Sequence, residues 1–550
     1  MRKAAPLVVL IIALVSSARV IATYRVFTNT YDEPWVIACG MEWLQRTVYT
    51  FEHLHPPLFR VAAALGPYLS GVRMGYDPWG EIGPNIPYSG DYFRVLSLAR
   101  IGTQPFLLLA IVVVWFWARH LLGVQGGLAA VLLFATLPPI LGHGGIAGND
   151  LPLAACLATA LYAFARWVEK PSPLASVALG ISIALTYLSK LSELTFFPLG
   201  VLAIWAFRRR EAGGEDTSNA GALLRPACMV LLVAGFVFWA GYRFSFAPVA
   251  DAASYVPSGT HKRLARIPIL DRTAVALSER LPVPAPEAFS ALLALKGRLA
   301  AEEDSYLFGR VVKNGRWIFS RVVFTLKTPL PFLVLLLVGA LSAVRRGETM
   351  GKRALAPLGA ALLILLSCLP SRINLGVRCI LAVYPLIAIV AAAGALELWR
   401  RNSSPRLGRL AVVLLLASQV AVSAAAHPDY LAYFNPLAGS DPGRVDAESD
   451  LDWGQDRGRL GREVERRGIT EIHLAYFGSA RPDRHIPARI VATHPDVRPR
   501  GWVAVSENLY RFTPDDFPWL RGVTPVCHVG RSILLYYLPG DGERKRAAGT

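Results

Sequence analysis

The chain has 550 residues, with 57 Lys and Arg against 39 Asp and Glu, a formal net charge of +18. Hydrophobic residues make up 53% and charged residues 17%, where a soluble domain carries roughly 25% charged. That composition excludes a disordered chain, a collagen and a disulfide-stapled mini-protein. The six cysteines at 39, 156, 228, 368, 379 and 527 form no C-x-x-C pair, which argues against a zinc or thiol-redox motif. The balance is that of a membrane protein.

In chain order, the first apolar run is Ala4 to Thr23, preceded by Arg2 and Lys3. It has about the length needed to cross roughly 30 Å of hydrocarbon. Ser16, Ser17 and Ala18 leave a cleaved signal peptide as the rival reading. Continuation through Val20 and Ile21 into Tyr24 and Arg25 favours an uncleaved helix. Further runs lie near 96–118, 124–142, 151–168, 174–190, 192–207, 223–245, 322–344, 354–370, 378–398 and 408–425. About eleven spans are expected.

With the N-terminus inside, the inner segments hold Arg119, Arg166, Arg208, Arg345, Arg400 and their basic neighbours, with few acids. That is the positive-inside bias, so the charge excess is a topological signal and implies no nucleic-acid partner. Outside fall 24–95, 143–150, 246–321 and a tail, 426–550, with 17 basic and 17 acidic side chains. In that tail a helix near 454–467 and apolar runs at 472–477, 502–505, 524–528 and 533–538 predict a small α/β domain. The predicted domains are therefore a transmembrane part, 1–425, and an extracytoplasmic part, 426–550.

Chemistry-bearing residues collect on the predicted outer face. Asp32-Glu33-Pro34 follows the first helix closely. Its carboxylates fit an acceptor hydroxyl or a divalent cation, or an N-cap with Pro near the first helical position. His55-Pro56-Pro57-Leu58 opens a run to Leu69 that is too short to span and reads as an interfacial helix. His53 and His55 are either structural or a weak metal signal. Asp150, at the mouth of the fourth span, fits either a helix cap or a site shared with Asp32. Lys190 and Glu193 lie on the same face, where they are expected to pair. Arg372 and Arg378 sit in an outer turn, suited to a phosphate anion or a lipid headgroup, and Arg316, Arg321 and Lys327, just before and within the eighth span, are candidates to join the same patch.

These residues resemble a family, the bacterial members of the dolichyl-phosphate-mannose–protein mannosyltransferase group of polyprenyl-phosphate-dependent GT-C glycosyltransferases. The resemblance rests on Asp32-Glu33, His-Pro-Pro-Leu at 55–58, Asn149-Asp150-Leu151-Pro152, Leu326 to Pro331 and Asn374 to Arg378. In the tail it rests on Tyr430 to Asn435 and Ser449 to Asp456. It implies an α-helical polytopic GT-C fold and transfer, with inversion, of a sugar from a polyprenyl-phosphate donor. The acceptor would be a protein, lipid or cell-wall glycan at the outer face of the plasma membrane.

By the same resemblance Asp32 is the base, with Glu33 and Asp150 as further acids of the site, and Arg372 and Arg378 hold the donor phosphate. His55, Asp452 and Trp453 are acceptor or sugar contacts, or, for the tail pair, a turn and cap. Metal dependence stays open, with Asp32, Glu33 and Asp150 as ligands for one divalent cation. Relatives often carry Glu before His-Pro-Pro, where this chain has Leu54. The alternative function is a non-catalytic transporter or a sensor with an outer binding domain. A transporter would usually show related halves and Gly/Pro-broken helices at mid-membrane, and neither is evident in the sequence.

Overall fold

The computed structural model describes residues 3–539 apart from 50, 53, 75–89, 212–219, 250–280, 301–303, 314, 316, 346–348 and 401–404. His53, Arg316 and much of the expected loop 246–321 lie outside the described residues.

Five helical segments among the described residues are long and apolar enough to cross a bilayer: Tyr92–Ala135, Asp150–Glu169, Leu223–Gly241, Val377–Trp399 and Pro405–Ala425. Ala5–Ile21, Pro173–Tyr187 and Leu355–Ser367 are shorter apolar helices. The chain is thus a multi-pass membrane protein. Its centre is the segment ending at Trp399, almost wholly buried, which packs on Leu330–Ala343, Gln104–Ala135 and Leu355–Ser367. Contact with Leu330–Ala343 is very close, because glycines face the partner backbone on both helices. A Cβ at Gly394 would lie 2.0 Å from the Leu335 carbonyl, and one at Gly339 2.1 Å from that of Val390. Small residues permit this backbone approach where lipid removes the hydrophobic drive between helices.

Three expected spans are reshaped. The runs 96–118 and 124–142 join in one long helical stretch, broken at Gly123, which has φ +79°. That stretch ends at Ala135, and a separate short helix, Pro138–Gly144, follows. The single span expected over 322–344 is a correction: Phe319–Lys327 and Leu330–Ala343 meet at 115°. Pro329 and Pro331 explain the break, since Pro removes a helical donor and pushes the residue before it out of the α region; Thr328 is extended.

The segment after the first helix folds into helices Glu33–Arg46 and Pro57–Leu69, which pack on each other. The second matches the short helix expected over 58–69. Its Phe59, Arg60, Ala63 and Ala64 are buried, while Leu65 and Leu69 are exposed. The later loop contributes two ribbons, β1 (Phe246–Pro248) with β2 (Pro282–Pro284) and β3 (Asp304–Leu307) with β4 (Arg310–Lys313).

The tail forms a five-stranded mixed sheet of β5 (Glu471–Ala475), β6 (Arg489–Ala492), β7 (Gly501–Ser506), β8 (Cys527–Val529) and β9 (Ile533–Leu538). Their order is β6-β5-β7-β9-β8, with β5 parallel to β6 and β7 and β9 antiparallel to β7 and β8. Helix Arg457–Arg466 lays Leu460 and Val464 on one face, against Ile472 and Leu535. Phe517 and Trp519 cover the other face. The helix and four of the strands match the expected elements; the fifth, β6, is Arg-Ile-Val-Ala, too short to show a period.

Candidate active site

Asp32 and Glu33 are adjacent in sequence and opposite in role. Glu33 begins its helix with Pro34 beside it, and only 1% of its surface is exposed. Its Oε1 accepts from Arg100 Nε and the Ala147 amide, and its Oε2 from Arg100 Nη2 and the Thr30 amide, each at 2.8 Å. Arg100 donates further to the carbonyls of Tyr24, Phe27 and Thr28. Glu33 is therefore an anchor for the loop, with both oxygens of the carboxylate expected to be catalytic already bonded. Asp32 occupies the N-cap position, yet its side chain makes no capping bond. Its carboxylate is 43% exposed and accepts from Arg378 Nη1 at 2.8 Å.

Arg378 is carried on a turn built for it. Gly376 has φ +82°, a left-handed conformation that favours glycine. A Cβ there would lie 2.6 Å from the carboxyl carbon of Asp450. That carboxylate accepts the Val377 amide at 3.0 and 2.9 Å, and Ser449 Oγ donates to the Leu375 carbonyl at 2.7 Å. The Arg378 guanidinium lies 4.5 Å from the Trp453 ring centroid. Strap 449–455 also reaches the Asp32 loop, since its Trp453 and Gln455 carbonyls accept the amides of Tyr31 and Thr28. One segment of the tail thus fixes both partners of the Asp32–Arg378 pair.

Arg372 is exposed in the preceding loop and is not brought to that pair; among the described residues its side chain has no partner. Arg321 lies over Trp317. Lys327 is fully buried and donates to the carbonyls of Leu431 and Asp450 at 2.7 and 2.8 Å. It braces the strap, which corrects its expected place in an anion patch.

Asp150 opens helix Asp150–Glu169, and the preceding N-cap, Asn149, gives no side-chain bond. Its Oδ1 accepts from Lys190 Nζ at 2.6 Å. Lys190 therefore pairs with Asp150 and not with Glu193, whose two buried carboxyl oxygens have no hydrogen-bond partner among the described residues. His143, which sequence reasoning missed, is 2% exposed, with its Nδ1 4.0 Å from Asp150 Oδ2. Burial, reinforced by the nearby Arg378, Lys327 and Lys190 cations, pushes its pKa down to about 4 despite Asp150. At the end of an apolar run it reads as an ordinary core histidine, so spacing gave no signal.

The remaining expected contacts divide. Trp453 belongs to the site, beneath Arg378 and edge-on to His143 with ring centroids 6.2 Å apart. Asp452 faces away. Fully buried, it accepts the amides of Gly454 and Asn508, each at 3.0 Å, in keeping with the turn that was the alternative to a sugar contact. His55 lies in a neighbouring cluster, its Nδ1 3.0 Å from Glu52 Oε2, which also pairs with Arg60. Although burial opposes it, the Arg60 and His55 partners hold Glu52 well below the usual carboxylate range. Of the three acids considered as cation ligands, Glu33 is bonded at both oxygens and Asp150 is held by Lys190. No group of three such ligands occurs among the described residues.

The loops and the tail of this helical membrane bundle thus converge on one polar site. Residues 96–246, which include His143, Asp150 and Lys190, match the family described as dolichyl-phosphate-mannose-protein mannosyltransferase. The fold is similar to that of the S. cerevisiae protein O-mannosyltransferase Pmt1-Pmt2 complex bound to the sugar donor, with a TM-score of 0.52 at 12% identity over 77% of this chain and 90% of that one. ArnT from Cupriavidus metallidurans bound to undecaprenyl phosphate matches at 0.47 and 13%, over 96% and 97%. The apo Archaeoglobus fulgidus oligosaccharyltransferase matches at 0.47 and 14%, over 88% and 65%. No curated protein matches the chain.

Proposed function

We propose that the protein transfers a sugar from a polyprenyl-phosphate-linked donor to a hydroxyl of a protein, lipid or cell-wall glycan, at the extracytoplasmic face and with inversion. The observation that carries this reading is the Asp32–Arg378 pair: a carboxylate free of capping duty, half exposed, facing a guanidinium that a dedicated turn holds in place. The family match over 96–246 and the fold it shares with a sugar-donor complex support the donor class.

The chemistry follows from the charges. Asp32 takes the proton of the acceptor hydroxyl as its oxygen forms a bond to the anomeric carbon. The bond from that carbon to the phosphate oxygen breaks on the opposite face, and its electron pair leaves with the phosphate. A single displacement inverts the centre. Negative charge gathers on the departing phosphate, to which Arg378 turns its guanidinium as it gives up Asp32. Trp453 beneath the guanidinium limits its swing.

Binding tests the phosphate role. Undecaprenyl phosphate titrated into the purified full chain should bind the Arg378→Ala variant tenfold to hundredfold more weakly, the roughly 1.5–3 kcal/mol of a hydrogen bond to a charged group. Arg378→Lys should recover part of it, because the planar fork is lost. Parental affinity in both variants would make the turn a general headgroup contact.

A further inference from the structure

Both ring nitrogens of His143 are buried without a hydrogen-bond partner among the described residues, a costly arrangement for a polar group. Its short helix is held from two sides: a Cβ at Gly142 would lie 2.9 Å from the Leu431 amide, and one at Gly145 2.9 Å from Thr23 Oγ1. The helix thus seats the ring edge-on to Trp453, with Nδ1 4.0 Å from Asp150 Oδ2, about one ångström beyond a hydrogen bond. Asp150 is buried and spends its other oxygen on Lys190, whose side chain is 24% exposed.

We infer that His143 is a positioning residue that takes over Asp150 when Lys190 turns to the donor phosphate. An arriving phosphate draws the partly exposed ammonium outward, and a buried carboxylate without a partner would oppose that motion. The neutral imidazole, carrying its proton on Nδ1, closes on Oδ2 and supplies the missing bond. Acting through Asp150, it makes Lys190 available to the donor at little cost. Phenylalanine would fill the volume equally well and could not do this. The inference rests on the site proposed above.

The test is a double-mutant cycle on the full chain in lipid nanodiscs, with undecaprenyl phosphate as the probe. His143→Phe should weaken binding about tenfold, the worth of a hydrogen bond to a charged group. His143→Asn, which keeps an N–H near the Nδ1 position, should recover most of the affinity. In an Asp150→Asn background, where no buried charge needs a partner, His143→Phe should change nothing further. Parental affinity of His143→Phe, or an equal loss in the Asp150→Asn background, overturns the inference. Arg378→Ala separates the two levels: if it binds weakly while His143→Phe binds normally, only the His143 role falls, and if it binds normally, both fall. NMR of isotope-labelled histidine in the parent protein needs no stable Phe variant. The Nδ1 signal, assigned by its loss in His143→Asn, should move when the probe is added, and an unmoved signal overturns the inference.

Discussion

Adjacent carboxylates with unlike surroundings do unlike work, and Asp32 and Glu33 show it. Glu33 and Arg100 form a buried bidentate pair, and removing one partner of such a pair typically costs about 3–5 kcal/mol. Arg100→Leu should therefore lower the melting temperature and the amount inserted in membranes, while a full-length Asp32→Asn protein melts like the parent. A second residue-level effect comes from Glu448. Burial pushes its carboxyl up to about 7, against the pull of Arg378. Below that pH it is neutral; above it, it places a negative charge near Arg378 that competes with phosphate. Affinity for a lipid-linked phosphodiester donor should fall as pH rises through about 7, and Glu448→Gln should flatten the profile. A pH-independent parent would deny the competition. The acids and Arg378 were legible in the sequence as residue types at one membrane face. Which acid was exposed and which was locked was not, because Arg100 and the Ala147 amide arrive from distant elements.

Among the elements, strap 449–455 does the joining: Asp450 seats the Arg378 turn, Trp453 supports the guanidinium, and the Gln455 carbonyl holds the Asp32 loop. Gly376→Ala would place a methyl against the Asp450 carboxylate in a left-handed conformation, a strain on the order of 1–3 kcal/mol. That variant should lose donor affinity and melt lower, and normal values for both would show that the turn tolerates displacement. The motif Ser449 to Asp456 was visible in the sequence, where its acids left ligand contacts and a turn with a cap as alternatives. Asp450 and Asp452 bond backbone amides instead, contacts that no spacing rule reveals. The bend at 115° was passed over for another reason: the apolar count of 322–344 outweighed Pro329 and Pro331, which carry the actual signal.

For the whole molecule, the proposed orientation follows from the basic inner loops and sets the side on which donor and acceptor meet. A reporter active only outside the cytoplasm should work when fused after Tyr430 and stay silent near Glu215; the reverse pattern would move the site to the other face. The helical bundle and the α/β tail could be read from hydropathy and turn punctuation. Their union at one site could not, since it depends on contacts between residues more than 300 positions apart, as in Asp32 with Arg378. The most direct measurement is transfer of radiolabelled sugar from a saturating polyprenyl-phosphate donor to endogenous acceptors, comparing membranes that hold equal amounts of parent and Asp32→Asn protein. Asn accepts a hydrogen bond and cannot take the proton, so the account predicts a loss of about 10² to 10⁴ in rate. Transfer by Asp32→Asn at the parental rate would contradict it.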